Sequence, residues 1–90
     1  MKRAIALTEK DNVATMIDKA EKGEDVEVTI GKRKTIVRAE DEIPFGHKIA
    51  LKEIKKGENV IKYGEPIGQA TRDIKKGEHV HVHNIKSIMV

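Results

Sequence analysis

Two patterns that decide the fold meet in one stretch near the carboxyl end of the 90-residue chain, Ile74-Lys75-Lys76-Gly77-Glu78-His79-Val80-His81-Val82-His83-Asn84. Its first seven residues repeat an earlier segment almost unchanged, Ile54-Lys55-Lys56-Gly57-Glu58-Asn59-Val60, and the core of the repeat returns in Lys22-Gly23-Glu24-Asp25-Val26. The fixed glycine allows a positive φ angle, and the valine that follows can re-enter an apolar core. The repeat therefore predicts a turn that leads into a strand, used more than once.

The second pattern is the alternation of histidine with valine. In an extended strand successive side chains point to opposite faces, so His79, His81 and His83 are expected on one face. Val80 and Val82 are expected on the other face, where they can enter a core. Histidine titrates near neutral pH and can both donate and accept hydrogen bonds. A row of three is therefore a candidate chemical site.

Metal binding by this row depends on its geometry. At a rise near 3.3 Å per residue, His79 and His83 are expected roughly 13 Å apart. One metal ion could take two neighbouring imidazoles, but hardly all three without a bend. Metal binding by these histidines, substrate hydrogen bonding or proton transfer, and exposed side chains with no role all stay open. No metal ligand is assigned on this chain.

The rest of the chain predicts a mainly β fold with one short α-helix. Strands are expected over residues 4–7, 26–30, 35–39, 49–51, 60–62, 67–71 and 79–85, with glycines between them. The helix is expected near residues 12–22, with Asp11 as its N-cap and Gly23 at its end. Its apolar stripe has helical spacing and consists of Val13, Met16, Ile17 and Ala20.

Composition excludes several classes of protein. Ninety residues predict one domain, 1–90, which buries only roughly 60% of its unfolded surface and fits a binding module or one subunit of a larger assembly. The lack of cysteine excludes disulfides and predicts a cytoplasmic protein. No apolar run approaches the roughly 20 residues that span a membrane. A net charge of +3 and only two aromatic residues weigh against nucleic acid as a partner.

Three further segments carry candidate binding groups. Gly46-His47-Lys48 places a titratable group beside a fixed cation, which suits a carboxylate ligand, although such a pair is also common on surfaces. Lys62-Tyr63-Gly64 is similar, and Tyr63 could equally be a core residue. Asn84 either serves a turn or orients a polar ligand. The cationic turn Gly31-Lys32-Arg33-Lys34 is either a solvated loop or an anion-steering patch.

Several motifs in order resemble the amino-terminal domain of altronate and galactarate dehydratases. They are Asp11-Asn12-Val13-Ala14, Ile43-Pro44-Phe45-Gly46-His47-Lys48-Ile49-Ala50-Leu51, Val60-Ile61-Lys62-Tyr63-Gly64, Ile67-Gly68, Asp73-Ile74 and His79-Val80-His81-Val82-His83-Asn84. The resemblance implies an SAF domain with a β-clip fold. It singles out Gly46, His47, Lys48, Lys62, Tyr63, Gly64, His81, His83 and Asn84.

The resemblance implies the small subunit of a sugar-acid dehydratase, a hydro-lyase that is inactive by itself. In the family a larger domain carries a divalent, iron-type metal, so the expected partners are a large dehydratase subunit and the sugar acid. His81 and His83 are then the catalytic candidates. Gly46, His47, Lys48, Lys62, Tyr63 and Asn84 become substrate-binding candidates, and self-association into a homo-oligomer stays open.

Two alternatives remain at this point. A sulfolactate sulfo-lyase has a similar small subunit, and nothing in these residues separates a sulfonate leaving group from a hydroxyl. A non-catalytic module that binds sugar acids or other anions is the alternative from another class.

Overall fold

The computed structural model describes residues 1–88, which are built from strands and turns. In chain order the strands are β1 (Lys2–Ala6), β2 (Val13–Met16), β3 (Asp25–Ile30), β4 (Arg33–Arg38), β5 (Lys48–Ala50), β6 (Asn59–Lys62), β7 (Glu65–Ala70), β8 (His79–Val80) and β9 (Ile85–Lys86). The mainly β prediction is confirmed, and the strands predicted before residue 79 lie within a residue or two of their expected bounds. The described residues contain no helix that could span a membrane.

The strands form two sheets around two apolar cores. One sheet has the order β4-β3-β1-β2-β5-β8 and the other β6-β7-β9, and only β1 and β3 pair in parallel among the described strands. The first core lies within the larger sheet. The second core joins both sheets and contains Val13, Ala50, Ile54, Val60, Ala70, Ile74 and Val80. The side chain of Asn12 also links the sheets, since it donates to the Asn59 carbonyl (2.9 Å) and accepts from the Ile61 N–H (2.7 Å).

The helix predicted near residues 12–22 is wrong, because this segment is a central strand followed by turns. Strand β2 lies between β1 and β5, and Ala20 pairs with Ile43 through an antiparallel bridge. Val13 enters the second core, whereas Met16 enters the first. A strand covered on both faces needs apolar residues on both faces, which removes the alternation typical of a half-buried strand. Helix propensity is a weak preference that such pairing overrides.

The glycine repeat occurs four times among the described residues. Its copies form two pairs, joined by the antiparallel bridges Ala20–Ile43 and Ile54–Ile74. In every copy the glycine has a φ angle between 82° and 90°. The copies span residues 20–26, 43–49, 54–60 and 74–80. The second of these was not identified from the sequence, because it lacks the Lys-Gly-Glu core.

The second copy differs from the others in the way its turn is capped. In the other three, the glutamate after the glycine accepts a hydrogen bond from the backbone N–H three residues earlier, at Glu21, Lys55 and Lys75. In the second copy that position holds His47, and Pro44 occupies the donor position. Proline has no N–H, so this turn has no donor for a carboxylate to cap. The side chain of His47 is therefore released from the capping role.

Candidate functional site

The carboxyl-terminal histidine segment bends into a turn instead of continuing as a strand. Strand β8 ends at Val80, and the Asn84 side chain closes the turn that follows. Its Oδ1 accepts from the His81 backbone N–H (2.9 Å), and its Nδ2 donates to the His79 carbonyl (2.9 Å). The strand predicted over residues 79–85 is therefore wrong. Asn84 is 3% exposed and fits the turn-forming interpretation of this residue.

The turn changes which side chains come together. The ring centroids of His79 and His83 are 5.0 Å apart, far less than an extended strand allows. Val80 is buried in the second core as expected, but the expectation for Val82 is wrong, since this side chain is 79% exposed. The reason is again the turn, which breaks the period-2 alternation after residue 80.

All four histidines of the chain form one imidazole cluster, consisting of His47, His79, His81 and His83. Antiparallel pairing of β5 with β8 places Ile49 opposite His79 and so brings His47 to the same edge. The ring centroid of His47 lies 4.1 Å from that of His81 and 5.1 Å from that of His79, in stacked orientations. The Nδ1 atom of His47 is 2.9 Å from the Nε2 atom of His79.

Two rings of the imidazole cluster, those of His79 and His81, have lowered pKa values. Burial is the largest cause that lowers the pKa of His79 to about 4. Electrostatic contributions from the neighbouring His83, His47 and His81 act in the same direction, whereas the carboxylate of Asp41 raises this pKa. Burial also lowers the pKa of His81, with contributions from His47, Lys48 and His83. Neutral imidazole has one donor and one acceptor nitrogen, so the short contact between His47 and His79 holds a single shared proton.

One of the predicted lysines, Lys48, lies beside the cluster, and Lys62 lies close to Lys48. Burial and the charge of Lys62 lower the pKa of Lys48, whose own charge acts on His81. The Lys62 ammonium lies 5.2 Å from the centroid of the Tyr63 ring. Tyr63 is 40% exposed, which argues against a core role, and its φ of 53° places it in the tight turn between β6 and β7. Gly46 adopts the positive φ angle, 82°, that its turn requires.

A surface cavity of about 480 Å³ adjoins the cluster. Its lining includes His79 and His83 together with Asn84, but also three residues that sequence reasoning missed, Asp41, Arg72 and Glu78. Asp41 accepts a hydrogen bond from the His79 backbone N–H (3.0 Å). Glu78 was identified from the sequence only as part of the repeat, and its capping of the turn is a structural finding. Nothing near Arg72 in the sequence marks it as a site residue.

The cationic turn between β3 and β4 has its own carboxylate partners. The Arg33 guanidinium donates to both oxygens of Glu9 (2.8 and 2.9 Å), and the Lys34 ammonium lies 3.9 Å from Glu27. These contacts favour the interpretation of the turn as a solvated loop, because part of its positive charge is already paired.

The imidazole cluster also contains a possible set of metal donors. His47, His79 and His81 each offer one ring nitrogen, and these three atoms lie within 4.8 Å of one another. His79 and His81 are the kind of neighbouring pair that one ion could take, and the pairing of β5 with β8 supplies His47 as the third donor.

Comparisons with known proteins place this chain in a family. Residues 2–88 match the family described as altronate/galactarate dehydratase SAF domain. Altronate dehydratase of Bacillus subtilis (strain 168) is 41% identical over 87 residues, covering 97% of this chain and 17% of that protein. For altronate dehydratase of Escherichia coli (strain K12) the identity is 46% over 77 residues, covering 86% of this chain and 15% of that protein.

A second group of relatives consists of subunits of a different enzyme. The (2R)-sulfolactate sulfo-lyase subunit alpha of Paracoccus pantotrophus is 53% identical over 49 residues, covering 54% of this chain and 73% of that protein. The chain spans less than a fifth of the length of the altronate dehydratases it matches. With nearly all of its described residues matched, the chain belongs to the altronate/galactarate dehydratase SAF domain family.

Proposed function

We propose that this chain contributes substrate-binding or proton-relay groups to a sugar-acid dehydratase whose remaining site lies on a larger partner chain. The observation that carries the proposal is the cluster of four imidazoles, two of which line a polar surface cavity, with Lys48 close to His81. Kinship with altronate dehydratases supplies the substrate class. The reaction removes water from an aldonate or aldarate and yields a 2-keto-3-deoxy acid.

The lysines and the histidines of the site have different proposed roles. The ammonium of Lys48 or Lys62 pairs with the substrate carboxylate. An imidazole of His81 or His83 orients a substrate hydroxyl or relays a proton, since the ring carries two nitrogens that can donate or accept. A divalent, iron-type metal ion, which we expect on the larger partner, would stabilise the negative charge that develops next to the carboxylate.

The need for a larger partner is supported by the surface around the cluster. Phe45 is 65% exposed and lies two residues before His47, and Val82 is 79% exposed and lies between His81 and His83. Large apolar side chains beside a polar cavity are typical of a surface that a partner covers. Coverage by such a partner would also exclude water from the cavity and strengthen its electrostatic interactions.

The proposal is tested by combining this chain with a large subunit of the family and supplying altronate or galactarate. We expect formation of the 2-keto-3-deoxy acid only when both chains are present. Replacing His81→Ala and His83→Ala together is expected to lower kcat by roughly 10²–10⁴-fold, the usual contribution of a positioned acid or base. Full activity of the double variant would contradict the roles assigned to these histidines.

A second candidate is supported by the sulfo-lyase relatives. In Paracoccus pantotrophus the matched residues make up 73% of the alpha subunit. The same cations could bind the carboxylate of a sulfonated hydroxy acid, with sulfite leaving instead of water. Parallel assays for sulfite and for the 2-keto-3-deoxy acid separate the two candidates.

A further inference from the structure

We infer that His47, His79 and His81 form a binding site for a divalent first-row transition metal ion on this chain itself. We call these three residues the histidine triad. The inference goes beyond the proposed function, because it concerns binding by this chain without a partner or a sugar acid.

The repeat shows that His47 has been released from a structural role. Three copies of the repeat use this position for a glutamate that caps its own turn. In the copy that contains Pro44 there is no N–H to cap, and an imidazole takes the position. The turn therefore retains its backbone shape, with Gly46 at a φ of 82°, while the side chain at residue 47 points to β8.

The donor atoms are already close to the spacing of a metal site. Zinc–nitrogen bonds of about 2.0–2.1 Å place two nitrogens of a tetrahedral site about 3.3 Å apart. In the triad, Nδ1 of His47 and Nε2 of His79 are 2.9 Å apart, and all three donors lie within 4.8 Å. Imidazole binds a metal in the plane of its ring, so the stacked rings must rotate to share one ion. An ion between His47 and His79 replaces the proton that these rings share.

An unpaired nitrogen is the second observation that points to a ligand. Nδ1 of His81 is buried and has no hydrogen-bond partner among residues 1–88. Buried polar atoms are normally paired, and one without a partner calls for a ligand, an ion or a water. Coordination of a metal ion by a ring nitrogen of His81 would provide a bonding partner that the described neighbours do not provide.

The donor type selects the class of metal. Three imidazoles suit zinc, cobalt, nickel or copper, whereas magnesium and calcium prefer oxygen ligands. Three protein ligands leave a fourth position open for water or another ligand, as in catalytic zinc sites. Asp41, which accepts the backbone N–H of His79, holds this ligand's main chain in place.

The test is metal binding by the 90-residue chain alone, measured by calorimetry with Zn²⁺ and by the visible absorption of Co²⁺. We expect one ion per chain and the strong absorption of a four-coordinate Co²⁺ site, with no binding of Mg²⁺. Substitutions His47→Gln, His79→Gln and His81→Gln are each expected to weaken Zn²⁺ binding at least about tenfold. His83→Gln, which removes a histidine outside the triad, is the matched control and should change the affinity by less than about twofold.

A double variant separates loss of ligation from loss of fold. Pro44→Lys combined with His47→Glu rebuilds the capped turn of the other copies, so the chain should fold as before but bind Zn²⁺ at least about tenfold more weakly. Circular dichroism and urea unfolding check the fold of every variant.

Nitrogen NMR of the unmodified chain provides a readout that needs no variant. Zn²⁺ should shift the ring signals of the triad histidines and leave those of His83 nearly unchanged. Absence of binding, equal loss on removing His83, or shifts at His83 alone would each overturn the site. None of these outcomes bears on dehydratase activity, which is measured separately with the partner.

Discussion

At the scale of single residues, Asp11 shows how one side chain can replace a predicted helix start. Expected to be a helix N-cap, its carboxylate instead accepts from the backbone N–H groups of Leu7 (2.9 Å) and Gly64 (2.7 Å) and from Thr8. It thereby fastens the turn after β1 to the turn between β6 and β7. The predicted N-cap role is wrong, because the described residues form strands and turns here and no helix starts at Asp11. Its donors at Leu7 and Thr8 are local, and only Gly64 is distant in the chain.

This carboxylate makes stability depend on pH. Burial alone raises the pKa of Asp11, but hydrogen bonds from Leu7, Gly64 and Thr8 outweigh burial and hold it below its usual value. A folded-state pKa below the unfolded value of about 3.9 stabilises the fold above that pH. The stabilisation is lost as the pH falls through the folded-state pKa.

Asp11→Asn should therefore lower the free energy of unfolding by about 1–3 kcal/mol at pH 7, because an amide cannot accept all of these bonds as an anion does. The difference from the unmodified protein should shrink as the pH falls below about 4. Urea unfolding at both pH values measures this, with the exposed Asp25→Asn as control. An equal difference at the two pH values would contradict the role of the charge.

At the scale of elements, the glycine repeat predicted the turns correctly, and two of its copies provide a matched pair. Gly57 and Gly77 have φ angles of 90° and 89°. A Cβ atom at Gly57 would meet nothing within 4 Å, whereas one at Gly77 would collide with the carbonyl oxygen of Arg38. The same sequence motif thus faces open space in one copy and packed backbone in the other.

Gly57→Ala should cost roughly 1–2 kcal/mol, the strain of a positive φ for alanine. Gly77→Ala should cost at least about 1–3 kcal/mol more, because the backbone near Arg38 must also move. Urea unfolding of the two variants measures the difference. Equal destabilisation would show that the close approach at Gly77 is relieved without cost.

The turn at residues 81–84 is the element that sequence reasoning missed. Alternation of histidine with valine predicts a strand, and only the two hydrogen bonds of the Asn84 side chain reveal the turn. Asn84→Asp removes the donor to the His79 carbonyl and sets two oxygens against each other. It should destabilise the chain by about 1–3 kcal/mol in thermal or urea unfolding. Stability equal to that of the unmodified chain would contradict this structural role.

At the scale of the whole molecule, the location of the site was more predictable than its geometry. His47, Lys48 and the terminal histidines were each identified from the sequence as candidates, and pairing of β5 with β8 brings them together. The helix error arose because β2 serves two cores and loses its alternation. Arg72 lies in an ordinary charged segment, and only the folded cavity distinguishes it.

The two-sheet arrangement explains why the site forms at an edge. Strand β8 is the terminal strand of the larger sheet and pairs with β5 alone in that sheet. Its other edge is closed by side chains, because the His79 backbone N–H donates to Asp41 and the His79 carbonyl accepts from Asn84. The exposed side chains of Phe45 and Val82 provide an apolar surface that a larger chain can cover.

The central claim is that cations and imidazoles of this chain complete a sugar-acid site with a larger partner. Its most direct test is kcat/KM of the reconstituted enzyme with Lys48→Met compared with Lys55→Met, whose lysine is exposed and paired with Glu53 (3.2 Å). Because Lys48→Met removes a charge-assisted contact with the substrate, kcat/KM should decrease roughly 10–150-fold. For Lys55→Met, kcat/KM should change by less than about twofold. Equal values of kcat/KM for the two variants would contradict the claim.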